Sequence, residues 1–403
     1  MTQPARPGTG TLADLRVVEL GGIGPIQYGA MLLADHGADV VRITRPGHPF
    51  PNRPDGVDLL DRGKRLVALD LRRPDDQAAA VRLAVAADVV VEGWRPGVAE
   101  RLGVGPAEIT ARNPRSVYVR MTGWGQSGPL AERGGHDINY IAAAGALDAF
   151  GRRDGPPVPP LNLVGDFAGG GLMLAFGILA ALREADRRGE GQVVDCAMVD
   201  GVSHLMTAFH APALALGPRG TNLLDTGHPA YEVYETADRR HVAVGALEPR
   251  FFDVLLAGLG LDPAEVPGPL DIARREELRA ALAAAIARRT SAQLREVFDR
   301  LDACVTPVLT QGEAIAHPHS VAREAFVDVG GIVQPAPVPR FSRTPGRVTA
   351  LPRPATAEEC RREWAGSARS ARSAGSVEVA GSAEAVEVAG LADSVAPAEA
   401  AAR

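Results

Sequence analysis

The chain is predicted to be an α/β protein built on a parallel sheet, and two observations lead to that fold class. Short runs rich in Val, Ile and Leu alternate with Ala-rich amphipathic stretches of helical length, which is the pattern of strands covered by helices on both faces. Hydrophobic residues make up 46% of the 403 residues and charged residues 23%, as in globular proteins with a sizeable core.

The elements follow in order along the chain. Five candidate strands are each followed by a turn or a helical stretch. They are LRVVEL (15–20), DVVRI (39–43), LVALDL (66–71), DVVVEGW (88–94) and SVYVRMTGW (116–124). Apolar residues at helical spacing then predict helices at 138–150 and 167–187. The apolar run from Phe167 to Leu182 is short for a membrane span and predicts a buried helix.

The rest of the chain differs in composition. A connection rich in Gly, Pro, Asn and Asp at 217–230 predicts a domain boundary. The stretch YEVYETADRRHVAVGAL then predicts a β-hairpin with ADRR as its turn. From about residue 354 the chain is rich in Ala, Ser and Glu, with too few large apolar side chains to offset the ordering entropy. We therefore expect 354–403 to be disordered. Three further helices are predicted at 249–260, 272–288 and 291–300.

Charge and cysteine content exclude several classes of protein. A net charge of −6 leaves no broad basic field for general nucleic-acid binding. Cys196, Cys304 and Cys360 are far apart, so they predict neither a disulfide framework nor a metal site, and they fit a reducing compartment. The first 15 residues lack the apolar segment of a signal peptide. We expect a cytoplasmic protein with no membrane partner, and a Cys304 that is buried and inert.

The stretch VVELGGIGPIQYGA has the strand, glycine turn and helix of a dinucleotide motif, but its details differ. The third glycine position holds Gln27, and the next strand lacks the acid that binds a ribose 2′-hydroxyl. That strand instead ends with Arg42 and Arg45. Arginines also follow later strands, at Arg72, Arg95 and Arg101. These are either ordinary surface arginines or ligands for a nucleotide with an extra phosphate, which guanidinium groups bind well.

Titratable side chains stand at three predicted helix starts. His136 and Asp137 precede one helix, Asp166 precedes a second, and Glu248 stands before Pro249. They are either helix-capping residues or acid–base groups beside the free N–H groups of a helix start. Apolar neighbours would desolvate the Asp166 carboxylate and raise its pKa. Flanking glycines would let a ligand approach the backbone.

A histidine and a carboxylate on opposite sides of one cleft would form a two-base proton-transfer site. One base removes a proton next to a carbonyl, helix N–H groups stabilise the enolate oxygen, and the other group returns a proton to the opposite face. His136 and Asp166 are the candidates, with Glu248 orienting the His136 ring. Their spacing in the sequence leaves open whether they meet.

Eight segments in order then carry a resemblance to a known family. They are LRVVELGGIGP, GADVVRI, EGWRPGVAERLG, RMTGWGQSGP, GGHDINYI, PPLNLVGDFAGGG, GQVVDCAMVDG and VAVGALEP. As a set, between about Leu12 and Thr344, they resemble the class III CoA-transferase family, and its racemases in particular. The resemblance implies an interlocked homodimer, with the active site at the dimer interface. Each chain would have a large Rossmann-like domain with a parallel sheet and a smaller α+β domain.

The resemblance also implies the domain organisation. The large CoA-binding domain would span 1–190 and be completed by a C-terminal return at 316–350. A linker at 191–227 would lead to the small domain at 228–315.

The resemblance implies a role for each site residue. His136 and Asp166 would be the two bases, serving the (S) and (R) faces. Glu248 would assist His136, from its own chain or from the partner subunit. The backbone of Asp137 would bind the thioester oxygen. CoA contacts would come from Arg45, Leu69, Asp70, Leu71, Arg72, Gly93, Trp94, Arg95, Arg101, Gly135, Ile138, Asn139 and Tyr140. The phosphates of CoA explain arginine where NAD would require an acid.

The expected activity is that of an isomerase, inverting the α-carbon of 2-methylacyl-CoA thioesters. It would need no metal and no separate cofactor, since CoA is part of the substrate. One alternative is a CoA-transferase that moves CoA between carboxylic acids through an aspartyl-CoA intermediate at Asp166. Another is a CoA-ester-binding protein without catalysis. His136 favours the racemase, because a second base is needed only when protons reach both faces. The acyl group stays open among branched fatty acyl, steroid side chain and short acid.

Overall fold

A computed structural model of the chain describes residues 10–47 and 57–371. The strands in this part of the chain are β1 (Arg16–Leu20), β2 (Asp39–Thr44), β3 (Arg65–Ala68), β4 (Val89–Glu92), β5 (Val117–Thr122), β6 (Val193–Ala197), β7 (Tyr231–Glu235), β8 (His241–Gly245), β9 (Val305–Pro307), β10 (Phe326–Val329), β11 (Ile332–Pro335) and β12 (Arg353–Pro354). The α-helices are α1 (Pro25–Asp35), α2 (Pro74–Ala86), α3 (Val98–Arg101), α4 (Pro106–Thr110), α5 (Asp137–Ala143), α6 (Met173–Arg188), α7 (Met198–Leu205), α8 (Pro249–Leu259), α9 (Arg275–Ile286), α10 (Ser291–Phe298), α11 (Gln311–Ala316), α12 (Pro318–Ala322) and α13 (Ala357–Ala371).

The largest feature is a seven-stranded sheet in which all pairings are parallel. Its strand order is β12-β3-β2-β1-β4-β5-β6, which contains the 3-2-1-4-5-6 order of dinucleotide-binding folds. Every residue of β4 and β5 is buried, because helices cover both faces of the sheet. The predicted α/β fold class is confirmed.

The turn after β1 requires glycine. Gly21 and Gly22 have φ values of +64° and +102°, a region that other residues enter only with strain. A Cβ on Gly21 would lie 2.7 Å from the ring of Trp94, in the loop after β4. The two loops therefore pack closely at the point where the strand order reverses between β1 and β4.

Four charged side chains are buried beneath this turn. The ammonium of Lys64 lies 2.8 Å from Glu19 Oε2 and 3.3 Å from Asp61 Oδ1. Arg42 binds the same two carboxylates, at 3.1 Å from Glu19 and 2.5 Å from Asp61, and donates to the carbonyl of Gly22 at 2.9 Å. The interpretation of Arg42 as a phosphate ligand is therefore wrong, because its guanidinium neutralises buried carboxylates.

A second hydrophobic core lies around the antiparallel sheet β7-β8-β9 and helices α8, α9 and α10. The predicted hairpin is confirmed, with Tyr231 paired to Gly245 and Glu235 to His241. Cys304 immediately precedes β9 with a φ of +51° and is exposed. The prediction of a buried Cys304 is wrong, because the chain turns there before the strand begins. The predicted domain boundaries stay a prediction.

The C-terminal part returns to the large sheet. Strands β10 and β11 form an antiparallel pair, Arg62 donates to the carbonyl of Pro335 at 2.8 Å, and β12 pairs with β3. The prediction of disorder from residue 354 is wrong for α13. Its Cys360 and Trp364, four residues apart on one helix face, are both buried. Residues 372–403 lie outside the described residues.

A long apolar helix precedes β6 in the chain. A π-helical segment, Leu163–Leu172, continues directly into α6. Together they form a helix of 26 residues, which by length and composition alone could span a membrane. Leu174 and Ile178 are fully buried in the main core, whereas Phe176 and Leu179 are exposed. The prediction of a buried helix therefore holds for one face only, and the helix begins at Leu163.

Replacing Lys64 with Met should destabilise the fold by about 3–5 kcal/mol, because it removes an ammonium from a buried cluster with two carboxylates. Urea unfolding of both proteins measures this difference. The matched control is Arg112→Met, which breaks an exposed ion pair with Glu108 and should cost less than about 1 kcal/mol. Equal losses in the two variants would contradict the role assigned to Lys64.

Candidate active site

A cleft of about 320 Å³ opens at the carboxyl edge of the large sheet. Its walls are the loops after β1, β4 and β5, the loop before α5, and the start of the π-helical segment, which is where open α/β sheets bind ligands. The lining residues are Gly22, Ile23, Pro25, Ile26, Gly93, Trp94, Arg95, Met121, Thr122, Gly123, Trp124, Ala131, Arg133, Gly134, Gly135, His136, Tyr140, Asp166 and Met198.

His136 is the residue before α5, and its exposed side chain lines the cleft. Its backbone N–H donates to Asn139 Oδ1 at 3.0 Å, and its carbonyl accepts from the Asn139 N–H at 2.8 Å. Tyr140 is buried edge-on against the ring of Trp124, with centroids 4.8 Å apart. A Cβ on Gly135 would collide with the Tyr140 ring, so the loop that carries His136 packs tightly on this aromatic pair.

Asp166 lies in the first turn of the π-helical segment, not before the helix as predicted. In a π-helix each N–H pairs with a carbonyl five residues back, so N–H groups of the first turn need other partners. The N–H of Asp166 donates to Asp137 Oδ1 at 2.7 Å. The helix start is thus capped by Asp137, a buried residue from the beginning of α5.

The environment of the Asp166 carboxylate raises its pKa. Partial burial has the largest effect, and the nearby charge of Asp137 acts in the same direction. A hydrogen bond from Asn162 Nδ2 to Asp166 Oδ2, 3.0 Å long, and the proximity of His136 act in the opposite direction. A carboxyl group with a raised pKa exchanges protons more readily near neutral pH than an ordinary aspartate.

The structure brings together two of the three predicted acid–base residues. His136 and Asp166 line the same cleft, although they are separated by thirty positions in the sequence. Glu248 occupies the exposed N-cap position of α8, without a capping hydrogen bond from its side chain, and is not among the residues that line this cleft. The helix that follows His136 is shorter than predicted, since α5 ends at Ala143 and only a 3₁₀ turn, Leu147–Ala149, follows.

The residues predicted to bind CoA divide into two groups. Gly93, Trp94, Arg95, Gly135 and Tyr140 line the cleft. The others lie outside its lining: Arg45, Leu69, Asp70, Leu71, Arg72, Arg101, Ile138 and Asn139.

The second group includes an arginine cluster on the same sheet edge. Arg45 follows β2, and Asp70 and Arg72 follow β3. Hydrogen bonds from Arg72, and the charge of Arg45, lower the pKa of Asp70 to about 2. The side chains of Arg45 and Arg72 are exposed, so both cations are accessible to a ligand.

Most of the glycines around Asp166 serve packing within the chain. A Cβ on Gly165 would lie 2.4 Å from Asp137 Oδ1, and one on Gly171 would lie 2.8 Å from the carbonyl of Pro25. A Cβ on Gly24 would lie 2.9 Å from Asp166 Oδ2. The contacts of these glycines therefore do not support the prediction that they let a ligand approach the backbone. Neighbouring protein atoms fill the space that a side chain would take.

Sequence reasoning missed three residues at the site. Asn162 binds Asp166, Trp124 supports Tyr140, and Arg133 lines the cleft near His136. Trp124 and Asn162 lie within the recognised segments RMTGWGQSGP and PPLNLVGDFAGGG, and Arg133 directly precedes GGHDINYI. The segment alone does not reveal the role of Asn162, because that role depends on where the helix begins.

Fold and site together define a class: an α/β protein of dinucleotide-fold topology with a histidine and an aspartate in a cleft at the carboxyl edge of its sheet. Among residues 10–47 and 57–371, no group of three or more His, Cys, Asp or Glu could hold a metal ion. Residues 12–359 match the family described as CoA-transferase family III, and the chain belongs to that family.

Similar proteins agree with the assignment to this family. The chain is 44% identical to the alpha-methylacyl-CoA racemase of Mus musculus, over 86% of this chain and 91% of that protein. It is also 44% identical to the alpha-methylacyl-CoA racemase of Homo sapiens, over 83% of this chain and 87% of that protein. The structure of a CAIB/BAIF family protein from Brucella suis superposes with a TM-score of 0.75 at 25% identity, covering 89% of this chain and 99% of that one.

An Asp166→Asn variant should be more stable than the natural protein at pH 7. Because the pKa of Asp166 is raised in the folded state, its ionisation opposes folding. The contribution of Asp166 to the free energy of unfolding is complete below about pH 4, the pKa of an aspartate in the unfolded chain. It is lost as the pH rises through the raised pKa of Asp166 in the folded protein. Urea unfolding at several pH values should show the difference shrinking towards pH 4. The exposed Asp154→Asn serves as control, and a pH-independent difference would contradict the expectation.

Proposed function

We propose that this protein is a racemase that inverts the α-carbon of 2-methylacyl-CoA thioesters. The observation that carries the proposal is the single cleft shared by His136 and Asp166. The 44% identity to two alpha-methylacyl-CoA racemases supports the same reaction.

The two bases would act from opposite sides of the substrate carbon. With the (S) epimer, His136 removes the α-proton, leaving the electron pair delocalised into the thioester as an enolate, and protonated Asp166 delivers a proton to the other face. With the (R) epimer the roles reverse. The raised pKa of Asp166 supports this role, because a proton carrier works best when its pKa approaches the operating pH. One proton enters and one leaves, so no redox cofactor is consumed.

The thioester oxygen would be stabilised by the N–H group of Asp137. Asp137 is the first residue of α5, and the N–H of a first helical residue has no partner within its helix. The partial positive charge of a helix start favours an oxygen that becomes negative in the enolate. This donor is part of the backbone, so it is in place before the substrate binds.

The CoA moiety would lie along the carboxyl edge of the sheet, as part of the substrate and not as a cofactor. Arg45 and Arg72, which are exposed, would bind its phosphates, and Arg95, which lines the cleft, would bind next to the thioester. Arg101, at the end of α3, would add a further cation. The neighbouring contacts would come from residues 69–71, 93–94, 135 and 138–140.

We also propose that the protein works as an interlocked homodimer in the cytosol. The isolated chain leaves Glu248 outside the cleft, so the partner's Glu248 is the candidate to orient His136. On the helix that carries Asp166, Leu172, Phe176 and Leu179 expose 46%, 70% and 44% of their surfaces on one face. Such a face favours burial against a second subunit. Cys196, Cys304 and Cys360 form no disulfide within the part of the chain that the structure describes, which is consistent with a reducing compartment.

Solvent exchange tests the racemase directly. In D₂O the protein should introduce deuterium at C2 of 2-methylacyl-CoA thioesters, observed by mass spectrometry. His136→Ala and Asp166→Asn should each reduce interconversion of the epimers by about 100-fold or more. Each variant should still exchange the proton that faces the surviving base. His136→Ala should exchange the α-proton of the (R) epimer, and Asp166→Asn should exchange that of the (S) epimer.

Two outcomes would overturn this proposal. One is the absence of exchange with a panel of branched, steroid and short 2-methylacyl-CoA thioesters. The other is transfer of CoA from an acyl-CoA to an added free acid, with an Asp166 acyl derivative trapped by hydroxylamine, which would indicate a CoA-transferase.

The dimer proposal predicts twice the chain mass in sedimentation equilibrium at micromolar concentration. Phe176→Glu should shift the protein to the monomer, because a charge at the centre of the exposed apolar face opposes its burial. Arg112→Glu, in the exposed turn after α4, is the control. A natural protein that sediments as a monomer would contradict the proposal.

A further inference from the structure

The side chain of Asp137 joins the two candidate bases. Asp137 directly follows His136 and is 7% exposed. Its Oδ1 accepts the N–H of Asp166 at 2.7 Å, across 29 positions in the sequence. Gly165 makes this approach possible, since a Cβ there would lie 2.4 Å from Oδ1. One carboxylate thus connects the start of the His136 helix to the start of the Asp166 helix.

The rest of the Asp166 helix is held by close backbone packing. A Cβ on Gly201 in α7 would lie 1.9 Å from the carbonyl of Gly169. On the other side, a Cβ on Gly29 in α1 would lie 2.8 Å from the carbonyl of Gly171. These contacts fix the helix backbone from Gly169 onwards. In the first turn, Val164 packs against the buried cluster of Ile141, Ala146 and Val202. The hydrogen bond from Asp166 to Asp137 lies in that first turn.

We propose that the Asp137 side chain is a positioning residue, which sets the Asp166 carboxylate at a fixed separation from His136 on the other side of the substrate carbon. The inference rests on the proposed racemase function and assigns the side chain a role separate from that of the Asp137 backbone N–H. Two-base catalysis depends strongly on this separation, because a misplacement of 1 Å can reduce a rate by about 100-fold.

The charge of Asp137 has a second consequence for Asp166. The groups that face Asp166 are Asn162 from its own helix start, His136 and Asp137 from the start of α5, and the backbone at Gly24 before α1. Burial raises the pKa of Tyr140, and the charge of Asp166 adds to that rise. Of these neighbours, Asp137 is the one whose charge raises the pKa of Asp166.

Two pairs of variants separate position from charge. Gly165→Ala places a methyl group against Asp137 Oδ1, whereas Gly177→Ala adds one in the same helix where the nearest atom, Val194 Cγ1, is 3.6 Å away. Asp137→Asn keeps an oxygen that accepts the Asp166 N–H but removes the charge. Asp137→Ala removes both.

Steady-state kinetics with each epimer should distinguish the variants. Gly165→Ala should lower kcat by about 10- to 100-fold with KM within about twofold, and Gly177→Ala should stay within about twofold of the natural protein. Asp137→Ala should lose more activity than Asp137→Asn. For the (R) epimer, whose proton Asp166 removes, Asp137→Asn should move the acidic limb of the kcat profile to lower pH, because Asp166 then loses its proton at lower pH.

A second measurement does not depend on activity. The pKa of Asp166, read from its carboxyl ¹³C shift, should be lower in Asp137→Asn than in the natural protein. An unchanged or higher pKa there, or a folded Gly165→Ala with the kinetics of Gly177→Ala, would overturn the positioning role. Failure of the natural protein to exchange deuterium would instead overturn the racemase, while the ¹³C shift still decides the role of Asp137. Should Asp137→Ala not fold, Asp137→Asn and Gly165→Ala carry the test.

Discussion

The structure depends above all on the buried charge cluster of Glu19, Arg42, Asp61 and Lys64. Two cations and two carboxylates neutralise each other where β1, β2 and the turn before β3 meet. Breaking such a cluster leaves an uncompensated charge in the interior, which is more costly than never having formed it. Through the bond from Arg42 to the carbonyl of Gly22, the cluster also holds the glycine turn that forms one wall of the cleft.

From that turn outward, each part of the site is held by its neighbour. The start of α1 at Gly24 lies against the Asp166 carboxylate, and Asp137 caps the helix turn that carries it. Asp137 in turn follows His136, whose loop packs on Tyr140, and Tyr140 packs edge-on against Trp124. The two candidate bases therefore stand on rigid elements that converge at one sheet edge. Such preorganisation is what proton transfer at a weakly acidic carbon requires.

The sequence predictions were wrong where contacts between residues distant in the sequence decide whether a side chain is buried or where a helix begins. Arg42 and Arg95 look alike as arginines after strands, yet Arg42 is buried against two carboxylates and Arg95 reaches the cleft. The start of the Asp166 helix was placed too late, because a π-helical turn has no distinct sequence signature. The helix α13 was missed, because a polar composition hides the spacing of Cys360 and Trp364.

The sequence by itself determined the parallel sheet, the order of its elements and the family, and it singled out His136 and Asp166 as candidate bases. These follow from local hydrophobic periodicity and from short motifs, which are properties of neighbouring residues. Only the tertiary structure decided that the two residues share a cleft, that Asp137 caps the Asp166 helix, and that Glu248 lies outside the cleft of its own chain. Those facts depend on contacts between residues far apart in the chain, and local patterns carry no information about such distances.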